Sequence, residues 1–157
     1  MDIYEVKKGA SVFIDRDYEI TALAPELNGL KGIRFPQNIA EKQGVQIEIE
    51  VDRPVKALLG YFQNRNPIWL QPPDLETKAD ADDRVEYEPV IRNALTISGL
   101  PIVNVYVITL SAGKHKLDFG RGSYVFLGVI DASSPLIKRD AQINIDNLQQ
   151  RLDWLLE

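Results

Sequence analysis

The chain has 157 residues without a cysteine, and its 45% hydrophobic and 26% charged residues are typical of an ordinary globular domain. This length suffices to fold without a metal or a disulfide, and the lack of cysteine excludes thiol catalysis and cysteine-ligated zinc. The net charge of −5 is concentrated between Asp74 and Glu88, and the remainder offers no basic stripe for a phosphate backbone, which excludes nucleic acid as an expected partner.

Apolar residues recur mostly with a period of two, which predicts strands. In chain order, we expect a short strand at 11–14, a single helical turn from Pro25 to Gly29 and another short strand at 30–35. Longer strands follow at 45–51 and 55–62, then at 95–97, 103–109, 114–119 and 124–130. Short strands separated by glycine and proline, without long crossover helices, predict one all-β domain over residues 1–157, folded as an antiparallel β-sandwich.

Two segments depart from this pattern. Residues 72–88 form an acidic loop within the domain, and residues 144–156 carry apolar side chains at the spacing of a short C-terminal helix. Such a helix is marginal alone, so it either docks on the sandwich or contacts a partner subunit or domain. Leu148 and Leu152 are the residues that would make this contact.

The sequence shows neither a membrane span nor a signal peptide. No apolar run approaches the length needed to cross a bilayer, and the start at Met1 lacks the charged and apolar regions of a leader. These features leave the compartment open: the chain is either cytoplasmic or the mature part of something larger.

Catalytic and metal-binding motifs are weak, and we expect no enzyme activity. The single histidine, His115, shares a strand face with Leu117 and Phe119, which indicates a hydrogen-bonded packing residue. There is no Gly-x-Ser-x-Gly elbow. We expect no catalytic residue and no cofactor. A structural calcium ion is the alternative, with candidate ligands Asp80, Asp82 and Asp83, although the spacing does not match an EF-hand and favours a solvated acidic loop.

The segment from Tyr61 to Leu70 is the strongest candidate for a binding site. It leaves a buried strand and combines an aromatic ring with amide and guanidinium donors, the pairing that sugar sites use. The candidate ligand-binding residues are Trp69, Tyr61, Asn64, Arg65 and Arg92. The alternative is that Trp69 closes one end of the hydrophobic core.

Several sequence blocks carry a family resemblance. They are GASVFIDRDY from Gly9, PELNGLKGIRF from Pro25, VDRPVKALLGY from Val51, the following Trp69-Leu70, and AGKHKL from Ala112. Their order resembles a β-sandwich domain found beside or within bacterial polysaccharide-degrading and sulfatase-type secreted proteins. The resemblance implies a galactose-binding-like jelly roll, usually non-catalytic and appended to an enzyme or surface protein, in a secreted, periplasmic or cell-surface location. It transfers no ligand set.

Three functional hypotheses follow. The first is a non-catalytic accessory module that binds carbohydrate and is linked to polysaccharide processing. The second is a structural or assembly module that contacts a partner through the C-terminal helix and a sheet face. The third is a hydrolase or lyase that uses two carboxylates facing each other in a groove.

Overall fold

The computed structural model describes residues 1–66, 68–70, 75–77, 84–85 and 88–143. Its strands are β1 (Asp2–Glu5), β2 (Ile20–Leu23), β3 (Lys31–Arg34), β4 (Val45–Val51), β5 (Val55–Phe62), β6 (Leu75–Thr77), β7 (Arg84–Val85), β8 (Ile91–Ile97), β9 (Val103–Leu110), β10 (Gly113–Phe119), β11 (Val125–Asp131) and β12 (Arg139–Asp140). A 3₁₀ turn spans Pro25–Leu27, and the helix α1 spans Gln37–Gln43.

The strands form two sheets. The larger has the order β1-β3-β11-β5-β9-β8, with β2 and β12 on the outer edge of β8 and β7 beside β9. The smaller has the order β4-β10-β6 and is antiparallel. Three aromatic rings join the sheets, because Tyr124 contacts both Tyr61 of β5 and Phe119 of β10, at centroid distances of 6.4 and 4.3 Å. The predicted all-β antiparallel sandwich is confirmed.

Strand β5 lies at the centre of the larger sheet. It pairs along its whole length with β9 and over most of it with β11, and the side chains from Ala57 to Phe62 are all buried. A strand covered on both faces loses the alternation of polar and apolar residues and becomes a continuous apolar run. By contrast, β4 keeps its alternation because it has one wet face.

Most predicted strands are confirmed within one or two residues, and so is the turn at Pro25. The strand predicted at 11–14 is wrong: Ser11 makes a single bridge to Glu19, while Val12 and Phe13 are buried in a loop. Here the apolar side chains pack into the core. The backbone N–H of Val12 donates a hydrogen bond to Tyr18 O, within the same loop. The predicted helix at 144–156 and most of the acidic loop lie outside the described residues.

No helix in the described part of the chain has the length and apolar character required to cross a membrane. The longest is α1, whose seven residues are far short of a span.

Helix α1 takes its N-terminal cap from a distant loop. The residue before it, Pro36, has no hydrogen-bonding side chain, and the free amides of Gln37 and Asn38 donate instead to the Asp15 carboxylate, at 2.7 and 3.1 Å. Partial burial raises the pKa of Asp15, but these backbone hydrogen bonds outweigh it and the pKa is lowered overall. Asp15 thus fixes the N-terminal loop against α1.

Replacing Asp15 with alanine should lower the free energy of unfolding by about 1 kcal/mol, since two helix N–H groups lose their acceptor. The pKa of Asp15 is lower in the folded state than in the unfolded state. The stabilisation by Asp15 is therefore fully present at pH values above its unfolded-state pKa, and it is lost as the pH falls through its folded-state pKa. The difference between Asp15→Ala and wild type should therefore narrow below about pH 4. Urea denaturation at pH 7 and pH 3 measures both effects.

Asp17→Ala is the matched control, because Asp17 is an exposed carboxylate two residues along the same loop. Equal losses in the two variants would contradict the capping role of Asp15.

Candidate functional site

The loop that follows β5 is held together by its own asparagines. The Asn64 side-chain oxygen accepts a hydrogen bond from Asn66 N at 2.8 Å, and the Asn66 side-chain oxygen accepts one from Ile68 N at 3.1 Å. Trp69 N then donates to Asn66 O at 3.0 Å. Asparagine favours such turns because its short amide imitates a backbone carbonyl. The predicted site residue Asn64 therefore shapes the loop.

Trp69 lies where this loop meets the turn before β11. Its ring packs on Phe62 at a centroid distance of 4.8 Å and remains partly exposed. The backbone around Trp69 runs parallel to Ser123, with Ser123 N donating to Ile68 O at 2.8 Å and Leu70 N donating to Ser123 O at 3.0 Å. One side of the ring thus covers the end of the core. Next to it, the Ile68 side chain is 50% exposed.

Gly122 permits this close approach of two backbones. It has a φ of +136°, and a Cβ atom there would lie 2.7 Å from Leu70 Cα and 2.9 Å from Trp69 C. Any other residue at this position would push the Trp69 segment away. Gly122 therefore helps to position Trp69.

The remaining predicted residues lie in different surroundings. Tyr61 is 3% exposed and packs edge-on against Tyr106, at 5.2 Å, inside the core. Arg65 is exposed in the same loop as Trp69. Arg92 is exposed on β8, where its carbonyl accepts a hydrogen bond from Ala141 N. The structure thus keeps Asn64, Arg65 and Trp69 in one loop, buries Tyr61 in the core of the strand before that loop, and places Arg92 on β8, which β9 separates from β5.

A network of amide side chains connects the loop to that strand. Gln63 Nε2 donates to the side-chain oxygens of Asn93 and Asn104, at 2.9 and 2.7 Å. Asn93 Nδ2 donates in turn to Asp140 at 3.0 Å, and this bond, together with the charge of Arg92, lowers the pKa of Asp140. Asn93 has a φ of +49° where β8 and β9 shift register.

Sequence reasoning missed this network because its members come from four separate parts of the chain. The available signal was local: Asn104 interrupts the run of β-branched residues in β9, and asparagine tolerates the positive φ found at Asn93. Neither feature indicates that the two residues meet.

The single histidine behaves as a packing residue. His115 is 3% exposed, and its Nε2 lies 2.6 Å from the carbonyl oxygen of Ser111. A carbonyl only accepts, so Nε2 carries the proton. In the described residues no group of three or more histidine and carboxylate side chains could hold a metal ion. Asp80, Asp82 and Asp83 lie outside those residues.

Several grooves lie away from the Trp69 loop, and two of them place carboxylates beside lysines. One, of about 500 Å³, crosses the outer face of β4 and β10, where Glu48 lies opposite Lys116 and Glu50 lies opposite Lys114. The other, of about 440 Å³, lies beside Lys56 and includes the ion pair between Glu88 and Lys138. In both grooves carboxylates are matched by lysines, and in the second the hydrogen bond from Lys138 lowers the pKa of Glu88.

The comparisons with known proteins include a similar solved structure from a carbohydrate-active enzyme. No family model and no curated protein matches the chain. A GH138 enzyme targeting pectin rhamnogalacturonan II is similar in structure, with a TM-score of 0.78 and 26% sequence identity over 90% of this chain. The chain corresponds to only 16% of the length of that enzyme. The fold is thus shared with part of a carbohydrate-active protein, as the resemblance to polysaccharide-degrading systems implies.

Replacing Gly122 with alanine should destabilise the protein by about 1–3 kcal/mol more than the same change at Gly113, through overpacking against Leu70. Gly113 is the matched control: its φ is +132°, and a Cβ there meets nothing within 4 Å. Thermal or urea denaturation gives the two stabilities, and tryptophan fluorescence in a Trp154→Phe background reports displacement of the Trp69 loop. Equal losses in both variants would show that only backbone conformation matters at Gly122.

Proposed function

We propose that this protein is a non-catalytic accessory module that binds carbohydrate in a polysaccharide-processing system, with a galactose-binding-like jelly roll. The observation that carries the proposal is the uneven coverage of the structural similarity. Nearly the whole chain matches a small part of a pectin-targeting enzyme. A complete sandwich that forms a minor part of such a protein fits an appended module. We propose a secreted, periplasmic or cell-surface location for the protein.

The carboxylates support a non-catalytic role. A glycosidase needs a general acid whose pKa is raised so that it stays protonated. In the described part of the chain, every carboxyl whose pKa departs from its usual range shifts downward. These are Asp2, Asp15, Glu26, Glu88, Asp131 and Asp140. The hydrogen bonds from Arg139, for instance, lower the pKa of Glu26. Such groups suit structural ion pairs better than proton donation.

In this proposal the Trp69 loop is the binding site. The exposed part of the Trp69 ring receives the apolar face of a pyranose, while Phe62 supports the ring from the core side. Asn64 fixes the loop, Arg65 and Arg92 contribute guanidinium donors, and Tyr61 keeps the underlying strand in place. The proposal needs no cofactor.

Replacing Trp69 with alanine should weaken glycan binding on the order of tenfold, the loss expected for an aromatic contact of about 1.5 kcal/mol. The probes are oligosaccharides from rhamnogalacturonan II and other pectin fractions, titrated by calorimetry. Trp69→Phe keeps an aromatic ring and should retain part of the affinity. It therefore distinguishes the loss of the ring contact from a general loss of folding. Tyr18→Ala, at another partly buried aromatic, is the control and should bind normally. Failure of every glycan to bind, or binding indifferent to Trp69, would refute the proposal.

A second candidate, the assembly module, is favoured by one edge of the larger sheet. Strand β1 is the end of that sheet, and its Ile3 is 72% exposed beside Met1, which is 69% exposed. An exposed apolar edge strand is a template for pairing with another strand. A second copy can pair with it about a two-fold axis, because antiparallel edges are self-complementary.

Ile3→Lys should then shift the protein from dimer to monomer in sedimentation equilibrium, since a lysine on an edge strand opposes pairing. Lys8→Ile, which adds an apolar residue outside the strands, is the control and should leave the dimer unchanged. A wild-type protein that is monomeric at high concentration would exclude this candidate.

A further inference from the structure

Two arginines at the Trp69 end of the sandwich are not engaged by carboxylates. Four arginines elsewhere form ion pairs: Arg16 with Asp15, Arg34 with Asp2, Arg53 with Asp52 and Asp131, and Arg139 with Glu26. Among the described residues Arg92 on β8 forms none, although its charge acts on Glu88 and Asp140. Arg65 and Arg121 are exposed, and neither has an ion pair or a hydrogen bond within the residues that the structure describes. Within the described residues, two exposed arginines without a carboxylate partner, both close to Trp69 along the backbone, offer a binding site for an anion.

The backbone brings these arginines to the same place. Arg121 directly precedes Gly122, which packs on the Trp69–Leu70 backbone. Arg65 lies in the asparagine-built loop that ends at Trp69. Two backbone segments run side by side here, Ile68 to Leu70 and Gly122 to Ser123; Arg65 lies three residues before the first and Arg121 one residue before the second. The first segment carries the exposed Ile68 and the partly exposed Trp69.

We propose that this end of the sandwich selects glycans that contain uronic acids. The carboxylate of the sugar binds Arg65 and Arg121, while its ring lies on Trp69 and Ile68. A guanidinium group presents two parallel N–H donors that match both oxygens of a carboxylate, which makes arginine the usual partner for that group. This inference rests on the proposed carbohydrate-binding function and specifies its ligand class.

The net charge of −5 opposes the binding of an anionic glycan. A negative net charge repels anionic polymers at long range, so binding of a uronate has to come from contacts at the site itself. The affinity should therefore depend strongly on these two arginines and should fall as salt screens the contacts.

The test compares an oligogalacturonide with the same oligosaccharide as its methyl ester, which is neutral but keeps the ring. Wild type should bind the acid about tenfold more tightly than the ester, the preference expected of charge-assisted hydrogen bonds. Arg121→Gln should remove most of this preference and leave binding of the ester unchanged. Arg65→Gln should also remove the preference, and it should weaken binding of the ester as well, because Arg65 is a donor in the proposed glycan site. A sulfated galactan serves as a third probe, because a sulfate offers another anion for the same arginines.

Arg53→Gln is the matched control. It removes the same charge in the turn before β5, roughly 25 Å from the Trp69 end for a strand of this length, and should not change binding of either ligand.

The outcomes separate the two proposals. Equal, Trp69-dependent binding of acid and ester would overturn uronate selection and leave the carbohydrate-binding function intact. Tighter binding of the sulfated galactan would also overturn it. If Arg53→Gln also lost the preference for the acid over the ester, the preference would come from the overall charge of the protein and not from a specific site. Failure of all three glycans to bind would overturn uronate selection, and the carbohydrate-binding function is overturned with it if the rhamnogalacturonan II oligosaccharides also fail to bind.

Discussion

The contact that joins the two sheets is the ring of Tyr124. It stacks on Phe119 at 4.3 Å, meets Phe35 at 4.8 Å and approaches Tyr61 at 6.4 Å. The residue is fully buried, its hydroxyl has no partner in the described part of the structure, and burial raises its pKa well above the usual range. An unpaired buried hydroxyl costs about 1–3 kcal/mol, which the burial of such a large ring offsets.

The geometry of the candidate site depends on the position of Tyr124. Ser123 directly precedes Tyr124, and its hydroxyl is fixed by Gln37 at 3.0 Å and Glu41 at 3.2 Å, both on α1. Gly122 N donates to Ala40 O of the same helix. The turn before β11 is therefore held from the core on one side and from α1 on the other. Because it is fixed in this way, it presents a stable edge on which the Trp69 segment lies.

Features that depend on local sequence pattern could be predicted, whereas features that depend on contacts between residues far apart in the sequence could not. The alternation in β4 and the apolar run of β5 identify strands because burial on one or two faces leaves a direct trace in the order of residues. Helix α1 leaves no such trace, since the carboxylate that caps it is 22 positions away.

The same distinction applies to the site. Trp69, Asn64 and Arg65 are neighbours in the sequence and were found together. The amide network of Gln63, Asn93 and Asn104 and the position of Arg121 follow from the pairing of strands and turns, which local pattern does not encode.

The hydrogen bonds between Asp15 and α1 have a consequence for the order of folding. A seven-residue helix is not stable alone, so α1 becomes helical only when the loop containing Asp15 has closed over it. Helix formation in this protein is therefore an effect of tertiary assembly, and the N-terminal loop and α1 should fold and unfold as one cooperative unit.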